Sequence, residues 1–153
     1  MSSSGLRDDL AVALTLHRSA HPLAGSVLKE VLLRADNAGE ARVAVQAASA
    51  LGEIEAGSAS VEAGLALMTA AGERAVGLGL WTLAAASFRS VCGVAIRWNE
   101  VSTAISAAER AAECFAQDGD HESAARQRAF AALWRERLAS QPEVDWGAWA
   151  RRG

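Results

Sequence analysis

Apolar residues recur along this chain at helical spacing. Between 100 and 117, Val101, Ala104, Ile105, Ala108, Ala111, Ala112 and Phe115 fall on one stripe, with Glu109, Arg110, Glu113 and Gln117 outside it. Between 80 and 97 the apolar arc is wider, taking in Trp81, Ala84, Ala85, Phe88, Val91, Cys92, Ala95, Ile96 and, at its end, Trp98. A one-sided helix covers neighbours on a single face, whereas a broad arc implies a helix flanked on both sides. Breakers and N-cap residues divide the pattern at Ser19-Ala20-His21-Pro22, Gly57-Ser58-Ala59-Ser60 and Trp98-Asn99. The pattern predicts helix pairs at 6–19 with 22–36, 40–57 with 60–76 and 80–97 with 100–117, then a seventh helix at 120–139. Asn37 with Glu40, and Asp120, take N-terminal capping roles in this scheme. Residues 1–5 are expected to be a disordered N-terminus, 6–140 a repeat domain and 141–153 a separate Trp-containing tail.

A period of forty runs through these pairs. Gly39, Gly79 and Gly119 share one phase, each ending an amphipathic segment where a helix stop requires positive φ. Ala24, Gly64 and Ala104 share another; so do Val12, Gly52, Cys92 and Ala132, and so do Leu14, Ile54, Val94 and Trp134. The second half of each unit adds Leu28, Met68 and Ala108, then Val31, Ala71 and Ala111, then Ala35, Ala75 and Phe115. Small residues matching small ones at fixed phase predict helix axes that approach closely. Alternating broad-faced and one-sided helices are what a stack of antiparallel pairs needs, because each pair must cover the next.

Composition agrees. The 153 residues are 51% hydrophobic yet only 5% aromatic, Tyr is absent and Ala makes up about a quarter, so the core is built from small, helix-favouring side chains. The net charge of −3 gives no drive toward polyanions, which argues against a nucleic-acid binder. Fourteen of the fifteen basic residues are Arg, with Lys29 the single Lys, which fits a GC-rich coding bias. Cys92 and Cys114 are too few for a disulfide scaffold and are expected to be buried free thiols. The longest uncharged run, fourteen residues between Arg74 and Arg89, falls short of the about 18 to 20 that cross a bilayer. Leu10 to Leu16 is short and preceded by Asp8 and Asp9, unlike a secretory signal, so no membrane association and a cytoplasmic location are expected.

The spacing resembles the tetratricopeptide (TPR) pattern. Phe88, Val91, Cys92, Ala95, Ala104, Ala108, Ala111 and Ala116 occupy it in the third unit; Ala48, Leu51, Gly52, Glu55, Gly64, Met68, Ala71 and Val76 do so in the second, with Leu51-Gly52 as the L-G dipeptide. Tyr and the terminal Pro of the pattern are missing, and each unit is about six residues longer than the family's about 34. The longer unit is similar to the degenerate helical repeats in sensor regions of large bacterial ATP-dependent transcription regulators. Residues 107–138 are closest, with Phe115, Asp118-Gly119-Asp120, Ala124, Ala125, Phe130 and Trp134. The resemblance implies an all-α, right-handed α-solenoid of about seven helices whose first helices line a concave, partner-binding groove. HEAT and armadillo repeats share a period near forty.

Few residues point to catalysis. His17 and His21 have the four-residue spacing that puts two imidazoles on one helical face for a metal, but Pro22 disfavours helix at His21 and places it in the turn. His121 beside Asp118, Asp120 and Glu122 sits where acids cap a helix. Gly77 and Gly79 form a bare G-x-G without the following Gly-Lys of a phosphate loop. Cys92, on an apolar arc, has no activating base in sequence. No catalytic residue, cofactor or metal is therefore expected.

The groove is the stronger candidate. Arg89, Arg97, Arg126 and Arg137 lie on first helices and are expected to line it, with Gln46, Ser49 and Glu53 in the second unit. Together they would hold an acidic or C-terminal carboxylate segment by charge-assisted hydrogen bonds. In the tail, Trp146 and Trp149, three apart on one face of a short helix, either cap the last repeat or, with Arg151 and Arg152, dock to a partner. The reading is a non-catalytic protein-interaction module, an adaptor or regulatory partner that binds a peptide or helical surface. Self-association through the uncovered end is a further expectation. The alternative is a small-molecule sensor or enzyme in an all-helical bundle, with His17 and the groove arginines as polar contacts.

Overall fold

A computed structural model describes residues 3–152, with side chains described from Gly5 onward. Eight helices follow one another: α1 (Ser3–Arg18), α2 (Ala24–Ala38), α3 (Ala41–Ser58), α4 (Val61–Gly77), α5 (Trp81–Arg97), α6 (Val101–Gln117), α7 (His121–Ser140) and α8 (Trp146–Arg152). No strand occurs among the described residues. Successive helices from α1 to α7 pack side by side, α1 also touches α3, and α3 touches α5. The turns between them are only a few residues long, so neighbouring helices run antiparallel. No helix is long and apolar enough to cross a membrane.

The period of forty is visible in the backbone. Gly39, Gly79 and Gly119 all adopt left-handed φ, at 70°, 68° and 80°, and each ends a pair. Within pairs the break is made differently: Ala20 and Asn99 take positive φ, whereas the Ser60 side chain caps α4 by accepting the Ala63 N–H at 3.1 Å. Asp120 does the same for α7, accepting from the Ser123 N–H at 3.0 Å. Glu40 stands at the α3 N-cap without a side-chain bond, and Asn37, expected to help it, lies inside the last turn of α2.

Burial follows the same phases in the second helices. Leu28, Met68 and Ala108 are fully buried, as are Val31, Ala71 and Ala111, and Ala24, Gly64 and Ala104. The first helices obey it only inside the stack. Gly52 and Cys92 are buried, but Val12 and Ala132, at the same phase in the end helices, are exposed. In α1 the buried positions are Leu6, Leu10 and Ala13 instead. In α7, Ala125, Arg128 and Ala132 are exposed where α5 buries Ala85, Phe88 and Cys92, because α5 is flanked by both α4 and α6 while no described helix covers this flank of α7.

Three differences from the sequence expectation concern the ends. Ser3 to Gly5 continue α1 instead of lying in a disordered N-terminus; Met1 and Ser2 fall outside the described residues, as does Gly153. Pro22 and Leu23 belong to the first turn, so α2 starts at Ala24 and runs to Ala38. The tail contributes an eighth helix, α8, that returns to pack on α5.

Candidate functional site

The first helices α1, α3 and α5 enclose an open cleft of about 270 Å³. Gln46, Ser49 and Glu53, at i, i+3 and i+7 on α3, share one helical face and all line it. His17 and Arg18 come from the last turn of α1, and Leu83, Ala86, Ser87 and Ser90 from α5. Leu14, Val45 and Ala50 complete the wall with apolar surface. Gln46, Ser49 and Glu53, expected side by side in the second unit, thus share a cleft whose lining extends over three helices.

Two side-chain bonds organise the cleft. His17 Nε2 and Glu53 Oε2 stand 2.7 Å apart, joining α1 to α3 with both groups partly exposed. Ser49 Oγ and Ser87 Oγ are 2.6 Å apart, joining α3 to α5, and Ser87 is the one buried polar side chain among the described residues. A hydroxyl removed from water needs such a partner. Among the described residues the imidazole bonds to a carboxylate and the two hydroxyls bond to each other; no His–Ser hydrogen bond links them.

The four arginines expected in the groove are not gathered at this cleft. Arg89 is exposed on α5, outside the cleft lining, with no ion pair among the described residues. Arg126 pairs with Glu122 on the exposed side of α7, at 2.8 Å. Arg97 is exposed and gives its main-chain carbonyl to the Arg151 guanidinium. Arg137 stacks over two indoles, 4.9 Å from the Trp134 ring centre and 5.4 Å from that of Trp146. Helical phase placed them on first helices, but it could not foresee that the tail would claim Arg137 and the end of α5.

That tail builds a second constellation. Trp146 sits edge-on against buried Trp134, with ring centres 5.4 Å apart. Its backbone N–H donates to Asn99 Oδ1 at 3.0 Å, and Arg151 lies 5.1 Å above the Trp98 ring. Trp146 and Trp149 touch edge to face, but only Trp146 and Ala150 pack into the core, while Trp149 is 55% exposed. Arg152 is exposed at the end of α8. Leu133, Glu136, Arg137, Trp146 and Trp149 border a further cleft of about 370 Å³.

On the opposite face, Arg110 of α6 donates to both carboxylate oxygens of Glu73 on α4, at 3.0 and 2.8 Å, and to Glu113 at 2.7 Å. Its guanidinium also lies 5.6 Å above the Phe88 ring. These bonds hold the Glu73 carboxyl below its ordinary value of 4.5. Parallel pairs, Arg34 with Asp9, Arg74 with Asp36 and Arg135 with Glu109, tie other neighbouring helices.

The remaining sequence candidates have structural partners. His21 Nδ1 accepts the Leu23 N–H at 3.1 Å in the turn, so it does not join His17 on a helical face. Asp118 accepts from Thr82, and His121 is exposed at the start of α7. Cys92 and Cys114 are buried, and burial pushes the Cys92 thiol up to about 11. No group of three or more His, Cys, Asp or Glu side chains arranged to hold a metal occurs among the described residues.

Sequence reasoning missed His17 as a partner of Glu53, and it missed Ser87 and Ser90. The signal was there: Ser87 interrupts a broad apolar arc, and a hydroxyl at such a position demands a polar neighbour. Compared with family models, curated proteins and solved structures, the chain matches none of them.

Proposed function

We propose that this chain is a non-catalytic, cytoplasmic protein-interaction module, a TPR-like right-handed α-solenoid that serves as an adaptor or regulatory partner. Its ligand is a peptide or helical surface received by the cleft between α1, α3 and α5. One observation carries the reading: polar side chains from three successive first helices, His17, Gln46, Ser49, Glu53 and Ser90, converge on a single open cleft with an apolar wall. A cleft that is open, partly apolar and dotted with a few fixed hydrogen-bonding groups suits a segment that contributes both main-chain polar groups and side chains. The second helices, by contrast, spend their charges on one another, as Arg110 does with Glu73 and Arg74 with Asp36.

The test is affinity purification with the wild-type chain beside Ala86→Trp, which plugs the cleft from an exposed position. Proteins retained by the wild type and lost by the plugged variant, with melting unchanged, support the reading. Retention of the same proteins by both defeats it.

A further inference from the structure

The concave phase does not stop at the cleft. His17 lines it on α1, and at the same phase of the forty-residue period stand Arg97 on α5 and Arg137 on α7; Leu133 holds the phase of Glu53. At these last positions α8 lies over the surface. Trp146 covers Trp134 beside Arg137, Arg151 reaches the Arg97 carbonyl, and Leu133 and Arg137 border the cleft that Trp146 and Trp149 close.

The seat of α8 has features of a docking site that can be left. At Gly147 the two backbones touch: a Cβ there would stand 2.6 Å from the Asn99 nitrogen and 2.7 Å from the Arg97 carbonyl oxygen. The helix has seven residues, too few to persist without its seat, and Gln141 to Asp145, which connect it to α7, are exposed. Only one of its two tryptophans is inserted, and the indole Nε1 of Trp146 is buried without a hydrogen-bond partner. An unsatisfied donor makes the docked state less stable than its contact area alone would give. The five-residue tether leaves α8 free to leave its seat without disturbing α7.

We infer that α8 is a self-occupying strap: it fills the α5–α7 end of the concave surface as an intramolecular ligand, and it must lift for a partner to use that end. This rests on the reading that partners bind the concave face. Release would uncover the Trp134 edge, the Trp98 ring and the Arg137 guanidinium together, an aromatic and cationic surface. The occupant it fits is shown by α8 itself, a short helix that begins Trp-Gly and carries Arg four residues after the Gly.

The experiment uses the full chain and a synthetic peptide of residues 141–153. In the wild type the Trp146 amide is expected to exchange slowly and added peptide to bind weakly, because the seat is filled. Gly147→Val should unseat α8, speed that exchange about tenfold or more, and tighten peptide binding about tenfold or more, since apparent affinity scales with the fraction of open seats. Asn99→Gly, which keeps the positive φ of 61° and removes the Oδ1 acceptor, should act in the same direction and serves if the first variant does not fold. Free-chain exchange of Trp146 in the wild type, or peptide binding that neither variant improves, overturns the strap and leaves the cleft reading standing. A retained partner should bind Gly147→Val more tightly than wild type; equal binding also overturns it. Loss of all retained proteins on plugging Ala86 without any response to α8 release would uphold the cleft alone.

Discussion

Gly52 of α3 and Gly64 of α4 face each other at the point where the two helices cross, and their backbones are in contact. A Cβ on Gly52 would stand 2.8 Å from the Gly64 carbonyl oxygen, and one on Gly64 would run into the Ala56 side chain at 2.6 Å. The Met68 Cγ, 2.5 Å from the Gly52 position, could shift with its side chain, but the backbone contacts are relieved only if the helices move apart. Gly52→Ala is accordingly expected to lose about 1–3 kcal/mol, in spite of Ala's better helix propensity. Gly93, in the interior of α5 with open space around its Cβ position, should behave oppositely, and Gly93→Ala is expected to gain about 0.5–1 kcal/mol. Urea unfolding of the two variants beside the wild type checks both signs at once.

The hydroxyl pair of the cleft makes a sharper test of what one hydrogen bond is worth. Ser49→Ala strands the Ser87 hydroxyl in a 2% exposed site and is expected to cost about 1–3 kcal/mol. Removing both hydroxyls leaves nothing stranded, so Ser49→Ala with Ser87→Ala should be closer to the wild type than the single variant. Additive losses in the double-mutant cycle would show that the two hydroxyls are not coupled.

Alkaline pH should weaken the fold through Cys92. In the unfolded chain this thiol ionises near 9.0, whereas in the fold it holds its proton to about 11. Stability from the buried neutral thiol is therefore full below pH 9 and falls as pH rises toward 11, by a limit of about 2–3 kcal/mol. Cys114 is shifted in the same direction by burial. With no Tyr and a single Lys, few other groups titrate in this window. Cys92→Ala should flatten the dependence of urea midpoint on pH, and thiol reagents at neutral pH should modify either cysteine only on unfolding.

Acid should act through Glu73. The Arg110 bonds depress its folded value below 4.5, so the contribution of the pair is present above that pH and is lost as pH falls through the folded value. Both groups are partly exposed, which keeps the effect below about 1 kcal/mol near neutrality. The gap in stability between wild type and Glu73→Gln should narrow as pH drops below 4.5, measured by thermal melts at low salt.

Much of the architecture was legible because it repeats. The period fixed the three glycine stops, and the stripe from Val101 to Ala112 is buried throughout. Local chemistry also served where it was self-contained, as with Asp120 capping α7. What could not be read were properties of the ends and of long-range pairs. Val12 and Ala132 hold the same phase as buried Gly52 and Cys92, but exposure depends on whether another helix lies beyond them, and phase carries no such information. The groove arginines failed to gather for a related reason: side chains this long choose partners by reach, and Arg126 found Glu122 one turn away. Gln46, Ser49 and Glu53, spaced along one face of a helix flanked by α1 and α5, went where the phase put them.

The bare flank of α7 has a consequence for how molecules of this chain meet. An inner helix offers Ala85, Phe88 and Cys92 there, to be covered by the next helix; α7 offers Ala125, Arg128 and Ala132 to water. A second molecule arriving in stacking register, with its first pair set against α7, would have to bury the Arg128 guanidinium where the register requires a phenylalanine. The desolvation cost of that charge weighs against end-to-end growth in this one register, and other modes of self-association do not meet it.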